Sequence, residues 1–308
     1  MSRVTVIVVS WNTAELLDQC LASVAATTHG MHAEVIVVDN GSSDSSVAMV
    51  RERFPAARLI QNSTNVGFGC ANNQAAASSR APYLLLLNSD AVLLPQTLEK
   101  MLSLTASHPS AAVVGARVLN PDRSFQASHV CFPGLWQQLL VVSGIGRLLI
   151  RRQYPSCDPG TAVGSQPVDW VSGACMLVRT DAFAAVGGFD PAYFLYGEEM
   201  DLCFRLRQAG WEIWYEPNAV VIHHGGGSQT VATNSTREAM LYRGVVRFFR
   251  KHYGARQAAL LSAEILAATA AKSLVHTVLR AASRARFGRT VIPLPLLWRE
   301  LRDEVGRA

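Results

Sequence analysis

Five short apolar runs organise the first 120 residues: Val4–Ser10 (VTVIVVS), Glu34–Asp39 (EVIVVD), Arg58–Gln61 (RLIQ), Tyr83–Leu87 (YLLLL) and Ala112–Val118. Runs of this length without polar alternation predict strands buried on both faces, the pattern of a parallel sheet. Between them lie stretches of helical character: Ala14–Thr27, Asp44–Arg53 with Asp44 or Ser43 as its N-cap, Phe68–Ser79, and Pro95–Ser107 with Pro95 at the first helical position. Strands alternating with helices predict an α/β fold with a nucleotide-binding half over 1–119.

The pattern then changes. A segment punctuated by Pro and Gly (Asn120–Gln166) precedes a strand-like VDWVSGACMLV, a helix over Glu198–Ala209, and two strands, Glu212–Tyr215 and Ala219–Ile222. These predict a mixed sheet extending the first, within a catalytic domain spanning 1–236 whose second half is 120–236. Residues 235–285 read as mainly helical, and 237–308 as a helical extension. The apolar stretches Leu135–Ile150 and Ala258–Ala271 carry Gln, Arg or Glu and fall short of the roughly 20 residues of a spanning helix, so none is expected.

Charge sharpens this division. Residues 1–236 hold 14 Lys+Arg against 18 Asp+Glu, and residues 237–308 hold 14 against 5, so the net charge of +5 resides in the tail. A basic helical tail suits an anionic membrane surface, or a solvated face. No nucleic-acid-binding motif accompanies it. Six cysteines without a C-x-x-C pair argue against a zinc or disulfide framework and fit a reducing compartment. Met1–Ser10 already reads as a strand, so a secretory signal is not expected.

The chemistry gathers where the strands end. Ligands of open α/β sheets bind outside the carboxyl ends of the strands. Here those ends read Ser10-Trp-Asn12, Asp39-Asn-Gly-Ser-Ser-Asp, Asn-Ser-Thr-Asn65-Val-Gly67-Phe68, and Asn88-Ser89-Asp90. Asp39 offers an acceptor for a pyrimidine imide N–H, unless it serves only the Asn-Gly turn. Asp90, two residues after Asn88, suits Mg²⁺ or Mn²⁺ on a diphosphate, or a helix cap before Pro95. Gly173 and Ala174 are small strand residues that let a ligand approach the backbone. Trp170 either stacks on a ligand or fills the core. Glu198, Glu199 and Asp201 sit at a helix N-terminus that favours acids, and Asp201 precedes Arg205 by one turn.

The ordered series TVIVVSWN, VIVVDNGSSD, NVGFGCANN, LLLLNSD, GACMLVR, GGFDPAYFLYGEEMDLCFRLRQAGW and HHGGGS resembles family 2 of the inverting nucleotide-sugar glycosyltransferases, of GT-A fold, over roughly residues 3–252. It looks most like bacterial rhamnosyltransferase-type members that build cell-surface polysaccharide. The resemblance implies a dTDP- or UDP-sugar donor, with Asp39 at the base, Asn65 to Asn73 lining the nucleotide pocket, Asp90 on the metal and His223 beside it. It also implies that Glu199 is the base, with Glu198 and Asp201 as alternatives. The sequence departs from the family's Asp-x-Asp at Asn88, and from its Glu-Asp-x-Asp at Glu199. A rhamnosyl donor and a glycan or polyprenol-diphosphate-linked acceptor are expected on the same ground. A place on the cytoplasmic membrane face is expected from the charge contrast between tail and body, chiefly from residues 255–308, since Val245, Phe248 and Phe249 equally suit packing of 237–252. Two other readings compete. A nucleotidyltransferase would need a Gly-rich basic loop after the first strand, where SWNTAELL has none; a binding subunit without catalysis is suggested only by Asn88 and Glu199.

Overall fold

The computed structural model describes residues 3–149, 156, 164–225, 234–282 and 292–305. The chain divides into two compact units. The first comprises Met1–Phe132, Ser156–Phe194 and Glu198–Gln229; the second comprises Pro133–Pro155, Leu195–Gly197 and Thr230–Ala308.

In the first unit the chain runs β1 (Val4–Ser10), α1 (Ala14–Thr28), β2 (Ala33–Asp39), α2 (Ser46–Arg53), β3 (Arg58–Gln61), α3 (Phe68–Ser78), β4 (Tyr83–Asn88), β5 (Ala91–Leu93), α4 (Thr97–Ser107), β6 (Ala111–Leu119) and β7 (His129–Val130). The helices α5 (Leu135–Ser143) and α6 (Ile145–Leu149) belong to the second unit. The first unit resumes with β8 (Gln166–Val168), β9 (Trp170–Val171), β10 (Cys175–Arg179), α7 (Thr180–Ala185), α8 (Glu198–Gln208) and β11 (Glu212–His223). The second closes with α9 (Asn234–Tyr253), α10 (Ala255–Ala282) and α11 (Leu294–Val305).

The central sheet has the order β3-β2-β1-β4-β10-β6-β11-β5, with β8 also on β11. The four strands from β3 to β4 are parallel. β10 is inserted antiparallel between β4 and β6, which makes the sheet mixed, as expected. The leucine run has a direct explanation. Leu85 and Leu87 face one core and Leu84 and Leu86 the other, so both sides of β4 are dry. Each buried leucine contributes about 1.5–3 kcal/mol.

Several local expectations are corrected. α2 starts at Ser46, and neither Ser43 nor Asp44 is its N-cap. Asp44 instead accepts the Ser46 N–H (3.0 Å) with one oxygen and the Ala14 N–H (3.0 Å) with the other, tying α1 to α2. Pro95 is not the first helical residue, because Gln96 adopts a left-handed conformation (φ 65°) and α4 begins at Thr97. Gly173 and Ala174 lie in the turn between β9 and β10 rather than in a strand. The two strands foreseen around Pro217 are one, β11, interrupted by an irregularity between Glu216 and Val220.

In the second unit the arginines of α9 do not all face solvent. Arg243 and Arg247 pair with Glu304, Arg243 also with Glu300, and Arg250 donates to the Glu304 carbonyl. Val246, Phe248 and Phe249 are buried, so this stretch packs rather than projects. Arg284, Arg286, Arg289 and the side chain of Arg280 lie outside the described residues. A spanning length was not expected of the tail, yet the Ala255–Thr277 part of α10, 23 residues at mean hydropathy 1.5, is long and apolar enough to cross a membrane by length and composition. The helix extends the apolar stretch at both ends, which the shorter sequence window missed.

Candidate active site

Parallel pairing aligns the strand ends: Ser10 lies opposite Asp39, Asp39 opposite Gln61, and Val9 opposite Asn88. Ser10, Asp39, Ser89 and Asp90 are all buried there. Ser10 and Thr13 exchange a hydrogen bond (2.9 Å), and Thr13 donates to Ser89 (3.0 Å). Asn12, held at φ 52°, accepts the Ser43 N–H (2.7 Å) while its own N–H reaches Ser42 (2.9 Å). Asp39 accepts the Ser42 N–H (3.2 Å) with one oxygen; its other oxygen is buried without a partner. That oxygen can take a donor from a ligand.

The loop after β3 is held by Asn40. Its amide donates to Asn65 (2.8 Å), and its oxygen accepts from the Val66 N–H (3.1 Å) and from Asn62 (3.1 Å). Asn65 also accepts the Gly67 N–H (2.9 Å). Gly67 has φ 89°, and a Cβ there would come within 2.6 Å of the Phe194 carbonyl oxygen, so only glycine fits. Phe68 donates its N–H to that same carbonyl (3.1 Å). The amide of Asn73 is spent on Phe189, donating to its carbonyl (2.8 Å) and accepting its N–H (2.9 Å).

Asp90 and His223 meet although they lie far apart in sequence. β5 pairs with the end of β11, His223 opposite Ala91, and the Asp90 carbonyl accepts the His224 N–H (3.0 Å). His223 Nε2 lies 3.1 Å from Asp90 Oδ1 and 3.2 Å from Asn88 Nδ2. On the other side, Nδ1 lies 2.6 Å from Gln126 Oε1. The Gln126 amide is oriented by donating to Asn120 (2.8 Å). An amide oxygen only accepts and an amide nitrogen only donates, so the neutral ring carries its proton on Nδ1 and its Nε2 accepts from Asn88 while lying beside the Asp90 carboxylate. A proton or a divalent cation would stabilise the two electron-rich atoms at 3.1 Å, and the carboxylate is the kind of ligand Mg²⁺ and Mn²⁺ take.

The acids at the start of α8 differ sharply. Glu198 is buried with an unpartnered Oε2, and burial, reinforced by the charge of Glu199, pushes its carboxyl well above the usual range. It is held neutral. Glu199 is half-buried and faces the turn at Gly173, where an added Cβ would lie 3.8 Å from its Cβ and 3.8 Å from Phe68 Cε1. That turn in turn adjoins β4, since the Asn88 N–H donates to the Ala174 carbonyl (3.1 Å). Asp201 is fully buried and pairs with Arg205 (2.7 Å), whose other nitrogens donate to the carbonyls of Val186 (2.6 Å) and Gly188 (2.7 Å). Trp170 is half-buried against the core, with its indole N–H on the Cys131 carbonyl (3.2 Å).

Residues 2–246 match the family described as Glycosyltransferase like family 2. The chain belongs to this family. Among its relatives, the N-acetylglucosaminyl-diphospho-decaprenol L-rhamnosyltransferase of Mycobacterium tuberculosis is 31% identical over 71% of this chain and 75% of its own. Rhamnosyltransferase WbbL of Escherichia coli is 28% identical over 72% of this chain and 83% of its own. The solved mannosyltransferase PcManGT of Pyrobaculum calidifontis, in complex with GDP-Man and Mn²⁺, superposes with a TM-score of 0.58 at 16% identity, covering 99% of this chain and 87% of that one. The sheet is thus that of a GT-A glycosyltransferase, and the chain is a rhamnosyltransferase-like member of family 2.

For this glycosyltransferase the sequence reading missed Gln126, Asn40 and Thr13. Gln126 lies in an irregular stretch with no periodic signal. Asn40 could have been noticed as the side chain between Asp39 and the left-handed Gly41 (φ 79°).

Proposed function

We propose that this glycosyltransferase is inverting and uses Mg²⁺ or Mn²⁺. In this reading it moves a hexosyl group, rhamnose by likeness to its relatives, from a dTDP- or UDP-sugar to a hydroxyl of a polyprenol-diphosphate-linked glycan during cell-surface polysaccharide synthesis. The observation that carries the reading is the Asp90–His223–Gln126 arrangement at the end of β4, together with the Gly173 turn that both Asn88 and Glu199 adjoin.

Asp39 accepts the pyrimidine imide N–H on its unpartnered oxygen, and the backbone of Asn65–Phe68 flanks the nucleoside. Ser10, Asn12, Asn88, Ser89, Gly173 and Ala174 border the sugar diphosphate. Asp90, with His223 beside it, would hold the metal, which would compensate the charge of the departing diphosphate. Among the described residues no group of three or more His, Cys, Asp or Glu could hold an ion. A single carboxylate is enough for an ion that also binds the phosphates of its substrate. Glu199 takes the proton of the acceptor hydroxyl as that oxygen bonds to the anomeric carbon. The carbon–oxygen bond to the diphosphate breaks on the opposite face, and the nucleoside diphosphate leaves with the electron pair. Glu198, held neutral, does not compete for the proton, and Asp201 serves Arg205.

A lipid-linked acceptor requires the enzyme to work at the cytoplasmic membrane face. Support for membrane contact through the tail now comes from α10, whose outward residues Leu260, Leu274 and Val275 are exposed.

The test is a screen of dTDP- and UDP-sugars for hydrolysis and transfer with Mn²⁺ or Mg²⁺, run beside Asp90→Ala and Glu199→Gln. Asp90→Ala is expected to abolish transfer and metal-dependent donor binding with the fold intact, and Glu199→Gln to keep donor binding while transfer falls by about 10²–10⁴-fold. Unchanged turnover in Asp90→Ala would overturn the metal assignment.

A further inference from the structure

Among the described residues, every prominently exposed large apolar side chain except Phe194 belongs to the second unit. Four of them fall within fourteen residues on two consecutive helices: Trp136 on α5 (72% exposed), and Ile145, Leu148 (82%) and Leu149 (75%) on α6. The two helices are joined by Gly144 alone, in the left-handed conformation (φ 82°). α5 has its own anchorage through buried Val142 and Gln138 and contacts to α10, so the exposure of its partner residues is not that of an unpacked segment.

A soluble surface gains nothing from tryptophan and adjacent leucines almost fully in water, and such patches mark interaction sites. The surrounding sequence selects the partner. Residues 133–152 contain Arg147, Arg151 and Arg152 and no Asp or Glu, a local charge of +3. A second copy of this chain would bring two such stretches together, like charge against like. An anionic bilayer accepts both features, apolar side chains at the headgroup boundary and cations among the lipid phosphates, and tryptophan favours that boundary.

We propose that the α5–α6 segment is a monotopic membrane-insertion element that dips Trp136, Ile145, Leu148 and Leu149 into an anionic lipid surface. It is distinct from the C-terminal tail and independent of which sugar is transferred. The test is flotation of the full-length protein with vesicles of phosphatidylcholine alone or with about one-third phosphatidylglycerol. The wild type is expected to float with the anionic vesicles, and Leu148→Glu/Leu149→Glu to lose at least tenfold in partitioning. Leu148→Lys/Leu149→Lys raises the positive charge but removes the apolar anchors; it too is expected to fall. Circular dichroism and lipid-free donor hydrolysis, unchanged in both variants, separate this claim from the reading of the active site. Equal flotation of wild type and either double variant would overturn insertion, as would failure of the wild type to bind. A concentration-dependent dimer lost in the same variants would reassign the segment to self-association.

Discussion

Glu198 and Glu199 are neighbours with the same side chain, and their surroundings predict opposite responses to the same substitution. Burial holds the Glu198 carboxyl neutral well above its ordinary pKa of 4.5, with the charge of Glu199 adding to the effect. In the unfolded chain that carboxyl ionises near 4.5. Above that pH the unfolded state releases a proton the folded state keeps, so stability falls as pH rises, by about 1.4 kcal/mol per pH unit, until the folded protein ionises too. Below it the contribution vanishes. Glu198→Gln has nearly the same shape and no proton to lose, so it removes this slope. The variant is expected to match the wild type within about 0.5 kcal/mol near pH 4.5, the scatter of a neutral substitution, and to gain on it steadily above. Urea unfolding of both proteins at half-unit steps from pH 4.5 to 8 measures the difference, and the pH at which it levels off is where Glu198 ionises. Because a neutral Glu198 takes no proton from the acceptor, Glu198→Gln is also expected to keep kcat within a few-fold, against the loss of about 10²–10⁴-fold for Glu199→Gln. A difference flat with pH, together with a dead Glu198→Gln that still binds donor, would refute the assignment and make Glu198 the base.

Gln126→Leu removes the acceptor that fixes the His223 tautomer, so affinity for Mn²⁺ in the presence of nucleoside diphosphate, read by titration calorimetry, is expected to fall by about 10–100-fold. Asp201→Asn removes the charged partner of the half-buried Arg205 and is expected to cost about 1–3 kcal/mol in chemical denaturation, with KM for donor unchanged in the protein that remains folded. Gly67→Ala forces a Cβ onto the Phe194 carbonyl at a positive φ and is expected to destabilise by at least about 1–3 kcal/mol in the same assay, a loss that Asn65→Ser should not equal.

What the sequence discloses depends on how local each cause is. β1, β2 and β4 are legible because a strand buried on both faces needs only its own residues to say so, and the polar residues that close each run mark the ligand edge. The basic helix α9 is ambiguous in sequence for the opposite reason. Arg243 and Arg247 stand one turn apart, and so do Glu300 and Glu304, but the pairing between those two stripes spans more than fifty residues and appears in neither helix alone. Charge counted over the whole tail therefore overstates what α9 offers to a partner. The basic residues around α5 and α6 are too few to stand out in a count over the chain, and it is the exposure of the two helices in the structure that draws attention to them.

The Asp90–His223 pair is the sharpest case. Local pattern places no histidine beside Asp90 and no carboxylate beside His223; only the family resemblance brought the two together in the sequence. Their meeting depends on the irregularity in β11, which the sequence reading took for a gap between strands because Pro217 and Asn218 interrupt the apolar pattern. There β11 advances from Glu216 to Val220 while β6 advances only from Ala116 to Arg117. Beyond the irregularity Val221, Ile222 and His223 align with Leu93, Val92 and Ala91 of β5. Thr97 secures the join, donating to the Val220 carbonyl (2.6 Å) and accepting the Val220 N–H (3.2 Å). A strand without the extra residues would bring a different part of β11 alongside Ala91. The residues that look least like sheet thus set the register that brings His223 to Asp90, and the short strand β5, too short to be seen as a strand in sequence, holds that register in place.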